Sequence, residues 1–350
     1  MTSASSTNVL NLTGEELKKK FSSLSIEPYR ADQVHQWIFE KGVYDFERMT
    51  NLPVALRGQL KKEFSIEIPK AVTRQSSGDD KSVKLLLELK NGDFVETVYM
   101  PMAKEKRRTL CVSSQVGCKF HCAFCASGQN GFLRNLTMGE ILAQVLLGRD
   151  QAPDKKITNI VFMGIGEPFD NYREMIRTVR QLNAKNGLGL GARHITISTC
   201  GVIPKIEQLG EEGLQVELSV SLHGPNDNVR GAIMPVNQAY PVRSLIDACK
   251  KYAKKTKRAI TFEYILVKGV NASIKEAGEL ARLLKGMLCK VNLIPYNPIE
   301  EFPHEAPNYQ EIVAFQQVLQ EYGVKTTVRF SKGQDIQAAC GQLRSVHLKK

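Results

Sequence analysis

The spacing of apolar positions changes character twice along the chain. Between Thr13 and about Phe64 it is helical. "TGEELKKKF" opens on threonine with a glutamate three residues later, the arrangement of a capping box. "YRADQVHQWIFEKG" carries apolar residues at helical spacing and stops on glycine, and "LPVALRGQLKKEF" starts on proline. These runs predict a small N-terminal helical domain over residues 1–66, its first 12 residues loose. From about residue 70 the period shortens to two. "KSVKLLLELKNGDFVETVYM" places "NGD" between two strand-like runs, which predicts a short β-hairpin linker over residues 67–105.

From Thr109 onward, strands and helices alternate. The expected strands are "TLCVSS", "ITNIVFMG", "HITIST", "VELSVSLHG", "ITFEYILVKG", "VNLIPYN" and a last "KTTVRF". Helical patterns such as "TMGEILAQVLLG", "NYREMIRTVRQLN" and "SIKEAGELARLLKG" lie between them. Successive βα units predict a parallel sheet with helices outside. Eight units would close a full barrel. Six predict an α/β fold built on an open, partial (β/α)6 barrel over residues 106–350, with room at its mouth for a large substrate.

Composition narrows the class. Of the 350 residues, 42% are hydrophobic and 24% charged, so a sizeable core is expected. No apolar run is long enough to span a bilayer. The start, "MTSASSTNVLNL", lacks a signal-peptide pattern, so a soluble, cytoplasmic and monomeric protein is expected. The net charge of +12 suggests an acidic partner. Two short segments carry most of the excess. Residues 101–135 hold six basic residues against Glu105, and residues 322–350 hold six against Asp335. The same segments contain Cys111, Cys118, Cys122, Cys125 and Cys340. A basic surface can be merely solvated. Placed around reactive thiols, it points to RNA or DNA. Cys200, Cys249 and Cys289 lie in or beside apolar patterns and read as buried packing.

In parallel α/β folds chemistry gathers at the carboxyl ends of the strands. There the chain carries "QVGCKFHCAFC", "GIGEP", "STCG", "SLHG", "PYNP" and "SKGQDIQAACGQL". Loops start at strand ends anyway, so this explains part of the pattern but not three cysteines within eight positions. Cys118, Cys122 and Cys125 form a C-x3-C-x2-C run with no fourth ligand nearby, which does not suit a structural zinc. A catalytic zinc could use three thiolates. A four-iron cube could do the same and leave one iron open to a small chelating molecule.

This run, on a loop after the first strand of a βα barrel, resembles the radical S-adenosylmethionine superfamily. The wider set "VETVYMP", "TLCVSSQVGC", "RNLTMGEI", "FMGIGEP", "STCGVIP", "SLHGP", "IMPVN", "LIPYNP" and "DIQAACGQL" resembles the RlmN/Cfr family of dual-specificity RNA methyltransferases. The resemblance runs from about residue 14 to 345. It implies a 4Fe-4S cluster on Cys118, Cys122 and Cys125, whose open iron binds S-adenosyl-L-methionine. Gly166 and Glu167 would hold the methionine amine, and Ser198, Ser221, Leu222, His223 and Asn297 match further positions that contact this molecule. The implied reaction is methylation of C2 of an adenosine in 23S ribosomal RNA, and of an adenosine beside the tRNA anticodon. "GEP" rather than "GEA" favours this C2 type over the family's C8 type.

The implied mechanism uses two S-adenosylmethionine molecules. The first methylates Cys340. The second, cleaved by one electron from a reductant protein, yields a 5′-deoxyadenosyl radical that takes hydrogen from the new methyl group. The carbon radical adds to adenine, Glu96 accepts the ring proton, and Cys111 attacks the Cys340 sulfur to release the product. A Cys111–Cys340 disulfide results. Taken alone, Glu96 reads as a hairpin carboxylate and Cys111 as a buried strand cysteine. The chain departs from the family at Lys332, where arginine is usual, which keeps charge but loses a bidentate fork. A non-enzymatic iron–sulfur or zinc RNA-binding protein is the alternative class and would need neither Cys340 nor Glu96.

Overall fold

The computed structural model describes residues 6–102 and 106–344. Lys104, Glu105, Lys349 and Lys350, counted in the basic segments above, lie outside the described residues.

The N-terminal segment starts earlier than expected. Strand β1 (Thr7–Asn8) pairs in parallel with β2 (Phe64–Ser65), and Val9 and Leu10 behind it are buried. Two apolar residues with a core to enter outweigh the loop-like composition of this stretch. Helix α1 (Gly14–Ser23) has the predicted capping box, with Thr13 accepting from the Glu16 amide and Glu16 from the Thr13 amide. Helix α2 (Arg30–His35) runs on into a π-helical turn, and α3 (Val54–Glu63) follows Pro53.

The hairpin is present, with a third strand added. Strands β3 (Lys70–Ser76), β4 (Val83–Glu88) and β5 (Phe94–Met102) form an antiparallel meander. Strand β5 then pairs antiparallel with β6 (Arg107–Cys111), so the meander is continuous with the main sheet. The two short strands β7 (Gln115–Gly117) and β8 (Phe132–Asn135) bracket the three-cysteine loop. The main sheet continues through β9 (Asn159–Phe162), β10 (Ile195–Thr199), β11 (Glu217–Ser221), β12 (Ile260–Leu266), β13 (Cys289–Pro295) and β14 (Lys325–Val328). From β6 to β14 each neighbouring pair is parallel and in chain order. Strands β3 and β14 end the ten-stranded sheet, so the barrel is partial and open.

The helices that return the chain are α4 (Met138–Arg149), α5 (Tyr172–Asn183), α6 (Ile203–Leu209), α7 (Asp227–Ile233), α8 (Val242–Thr256), α9 (Ile274–Leu284) and α10 (Tyr309–Glu321). Sequence periodicity missed the two seven-residue helices α6 and α7, which are too short to show a helical period. No helix among the described residues is long and apolar enough to cross a membrane.

The strands alternate. Leu110, Ile160, Ile197, Leu218, Phe262 and Val291 are fully buried in the main hydrophobic core. Their neighbours Thr109, Asn159, Thr196, Glu217, Glu263, Asn292 and Thr327 line a cavity of about 560 Å³. Parallel strands covered on both faces are usually apolar throughout. Here one face is polar because the open barrel encloses a cavity that water can fill.

His35 illustrates what the core of the N-terminal segment costs in acid. It is buried edge-on to Phe39, and its Nδ1 has no hydrogen-bond partner among the described residues. Burial lowers its pKa from 6.5 to about 4, so the unfolded chain binds the proton first as pH falls. We expect stability to be full above pH 6.5 and to fall by up to about 3 kcal/mol as pH drops to about 4. Urea unfolding across that window should show the loss in the wild type and a flatter profile in His35→Leu.

Candidate active site

The three cysteines occupy one loop at the carboxyl end of β6. Gly117 leaves β7 at φ +76°, and a Cβ there would meet the Gly131 carbonyl at 1.9 Å, so the loop is drawn tight at its neck. All three thiols face a cavity of about 160 Å³. Burial raises each of their pKa values, that of Cys118 to about 12, so without metal they are protonated. Backbone amides already point at the sulfurs: Phe120 at Cys118, and Ser127 and Gly128 at Cys125. Such donors favour anionic sulfur and are how a protein tunes an iron–sulfur centre. Among the described residues no three His, Cys, Asp or Glu donors close on a single-ion site. A cube asks for something different, one donor at each of three separate corners. Three thiols of one loop on the wall of one cavity, with amides aimed at their sulfurs, are a donor set that fits a cluster.

The facing wall comes from the neighbouring strand ends. Gly166, Glu167, Ser198, Ser221 and His223 all line this cavity. Gly166 has φ +99°, and a Cβ would sit 2.5 Å from that of Gln115, so only glycine fits between the strand end and the cysteine loop. The Glu167 carboxylate is buried and accepts from the Phe169 amide at 2.9 Å and the Cys200 amide at 2.7 Å. Burial raises its pKa, and these two bonds oppose the rise. His223 sits in a left-handed conformation, φ +54°, with its ring edge-on to Phe124. Its Nδ1 accepts the Ile265 amide at 2.9 Å, which leaves the ring proton on Nε2. Burial and the nearby Arg230 lower its pKa to about 3, so the ring is neutral.

Leu222 and Asn297 do not line the smaller cavity. The Leu222 side chain lies in the main core while its amide donates to the Glu263 carbonyl at 3.1 Å. Asn297 faces the C-terminal segment: its Nδ2 donates to Cys340 O at 3.1 Å and Ser331 Oγ at 2.8 Å, and its Oδ1 accepts from Gln334 at 2.8 Å.

That segment brings Cys340 across the molecule. The Ala126 amide donates to Gly341 O at 2.7 Å, and Ser127 Oγ to Leu343 O at 2.7 Å, so the cysteine loop and the segment are stitched together. Cys340 lines both cavities. Cys111, at the end of β6, shares the larger one with it. Burial, then the charge of Cys340, push the Cys111 thiol up to about 12. Glu96 lines neither cavity. It pairs with Lys84 at 3.1 Å in a buried salt bridge and accepts the Arg344 amide at 2.9 Å. Burial raises its pKa against both partners.

Three residues escaped the sequence reading. Cys200 is buried, as packing predicts, yet it lines the smaller cavity. Arg230 is fully buried and donates to Cys200 O at 2.6 Å, Asn237 Oδ1 at 2.9 Å and Tyr240 O at 3.2 Å. Arg329 reaches Cys340. Only the placement of "STCG" at a strand end could have drawn attention to Cys200. Arg329 counts only as part of a basic segment, and nothing local marks Arg230.

The comparisons with known proteins agree with this geometry. Residues 112–282 match the radical SAM superfamily, and residues 7–66 match the ribosomal RNA large subunit methyltransferase N-terminal domain. The crystal structure of a radical SAM methyltransferase from Sphaerobacter thermophilus is 44% identical and superposes with a TM-score of 0.93, covering 96% of this chain and 99% of that one. Fold and site thus define a radical S-adenosylmethionine protein. A probable dual-specificity RNA methyltransferase RlmN of Clostridium tetani is 47% identical over 342 residues, 98% of this chain and 97% of that protein. One of the same description from Thermoanaerobacter is 45% identical over 344 residues, covering 98% and 99%. The chain belongs to the RlmN family of dual-specificity RNA methyltransferases.

The role of Asn297 as a tie on the C-terminal segment is open to test. Removing its amide frees the Cys340 carbonyl, at a cost of about 1–2 kcal/mol to the docked segment. We expect trypsin to cut after Arg329 or Lys332 about tenfold faster in Asn297→Ala, followed by mass spectrometry of the fragments.

Proposed function

We propose that this chain methylates C2 of an adenosine in 23S ribosomal RNA, and an adenosine in tRNA, by the cysteine-carrier route. The observation that carries the reading is the position of Cys340. It lies between the three-cysteine loop and Cys111, on the walls of both cavities. A methyl-carrying sulfur has to face the radical source on one side and the substrate on the other, and this placement allows it. The names of the relatives support RNA methylation. The domain division at residues 66 and 105 and the cytoplasmic, monomeric state belong to the same reading.

Cys118, Cys122 and Cys125 would hold a 4Fe-4S cluster, with Gly166, Glu167, Ser198, Ser221 and His223 around S-adenosyl-L-methionine. Bound together, these supply a one-electron cleavage of the sulfonium, the electron coming from a reductant protein. The chain's own residues do the rest. Glu167 offers a buried carboxylate to the methionine amine. His223 is neutral and offers an Nε2 donor rather than a second positive charge beside a sulfonium. Cys340 accepts a methyl group as a nucleophile. The larger cavity gives room for an extruded adenine, and Lys332 on its wall supplies a positive charge for phosphate. Cys111, protonated while buried, becomes a resolving nucleophile only after losing its proton. Glu96 takes the ring proton in this scheme. Because the Arg344 amide and Lys84 occupy its oxygens, that role requires the C-terminal segment to shift.

Two measurements test the reading. Intact mass spectrometry of the purified wild-type chain should show one added methyl group, mapped to Cys340, and Cys340→Ala should lack it and make no methylated RNA. A fully active Cys340→Ala would end the carrier scheme. Mass analysis of modified ribosomal RNA fragments should place the methyl on C2; a methyl on C8 would reassign the chain to the other type.

A further inference from the structure

Arg329 follows β14 and is held there by its own amide, which donates to Leu293 O at 2.8 Å. Its Nη2 lies 2.8 Å from Cys340 Sγ. Its Nη1 lies 3.9 Å from Met163 Sδ and 4.0 Å from Glu263 Oε2. Glu263 Oε1 accepts from Ser219 and Asn292, while Oε2 is buried without a hydrogen-bond partner among the described residues. An arginine serving only to neutralise Glu263 would close on that free oxygen. This one approaches the sulfur instead. A guanidinium beside a neutral thiol gains little, whereas beside an anionic sulfur it makes a charge-assisted hydrogen bond in a poorly solvated place.

We propose that Arg329 is a positioning residue that holds Cys340 as the anionic nucleophile for methyl transfer and aims its lone pair. The proposal rests on the reading of Cys340 as methyl acceptor. The thiol proton leaves to water in the larger cavity, which Cys340 also lines. The sulfur lone pair forms a bond to the methyl carbon of S-adenosylmethionine. The sulfonium C–S bond breaks, and its electron pair leaves with S-adenosylhomocysteine. Sulfonium and thiolate charges cancel, and Cys340 becomes a neutral thioether. Arg329 then has no anion at the sulfur and retains Glu263 as its counter-charge, so the methylated side chain is no longer tethered. Cys111 from β6 and Cys125 from the cysteine loop are further ionisable groups coupled to Cys340, and burial keeps both neutral in the metal-free chain, so neither opposes a negative charge there.

The test is alkylation of the purified full-length chain with iodoacetamide from about pH 6 to about pH 10, with peptide mass spectrometry following only those chains isolated without a methyl on Cys340, because a methylated sulfur has no thiolate to alkylate. In Arg329→Met, Cys340 should react about tenfold more slowly near neutral pH and reach the wild-type rate at the alkaline end. Arg329→Lys should recover part of the neutral-pH rate, since it keeps the charge and loses the fork. The fraction of chains isolated with a methyl on Cys340 should fall and recover in the same order. Superimposable profiles for wild type and Arg329→Met overturn the proposal. So does a uniform loss at every pH, which would mark a packing role only. Alkylation needs no cluster, S-adenosylmethionine or RNA. The comparison therefore judges Arg329 whether or not the methyl-carrier reading survives; that reading fails separately, on the absence of 5′-deoxyadenosine after reduction.

Discussion

Everything at this site depends on how the last described stretch of chain is tied down. Residues 329–344 contain no strand and only a three-residue 3-10 turn, so regular structure does not place Cys340. Tertiary hydrogen bonds do. The Gly333 amide goes to Asp80, the Gln337 carbonyl to Lys84, the Cys340 carbonyl to Asn297, the Gly341 and Leu343 carbonyls to the cysteine loop, and the Arg344 amide to Glu96. These partners come from the meander, the end of β13 and the loop after β6. Each bond is worth about 1 kcal/mol net. Together they position a sulfur; singly each is weak enough to be released.

The barrel supplies the surroundings by an alternation along its strands. Outward positions are apolar and bury against the helices, whereas inward positions include Thr, Ser, Asn, Glu and Lys beside Cys111, Val161 and Val328. A closed barrel would fill its interior with branched side chains. Here the sheet stays open and the interior is a chamber lined by polar and apolar groups alike. The smaller cavity, under the cysteine loop, is walled by Phe120, Phe124, Met234 and Ile265 beside its polar groups. The smaller, more apolar space is thus set apart from the larger and wetter one, with Met163, Glu263, Arg329 and Cys340 lining both.

Several buried charges would be liabilities elsewhere in a protein. Glu167 is satisfied by two backbone amides and Glu96 by Lys84 and an amide, while Arg230 donates to two carbonyls and an asparagine and keeps its Nε without a hydrogen-bond partner among the described residues. Hydrogen bonding offsets the desolvation that burial imposes. The result is a set of fixed charges that cannot reorganise cheaply.

Much of this was legible from the order of residues. Local rules predicted the capped first helix, the "NGD" hairpin and the βα alternation, because helix caps, turns and periods are short-range effects. Cys118, Cys122 and Cys125 could be grouped by spacing, whereas Gly166, Glu167, Ser198, Ser221 and His223, though at strand ends, were singled out by the family resemblance. The burial of Val9 and Leu10, the third meander strand and the two seven-residue helices could not, since each depends on what packs against it. Nor could the chain alone show that Arg329 meets Cys340, that Glu96 is already engaged by Lys84 and Arg344, or that Asn297 faces the C-terminal segment. Those contacts join residues that are far apart in the chain or on an irregular segment. The order of residues determined which groups the site would contain; only the closing of the sheet and the docking of the last segment decided which would touch, because a side chain's partner across the fold has no local signature.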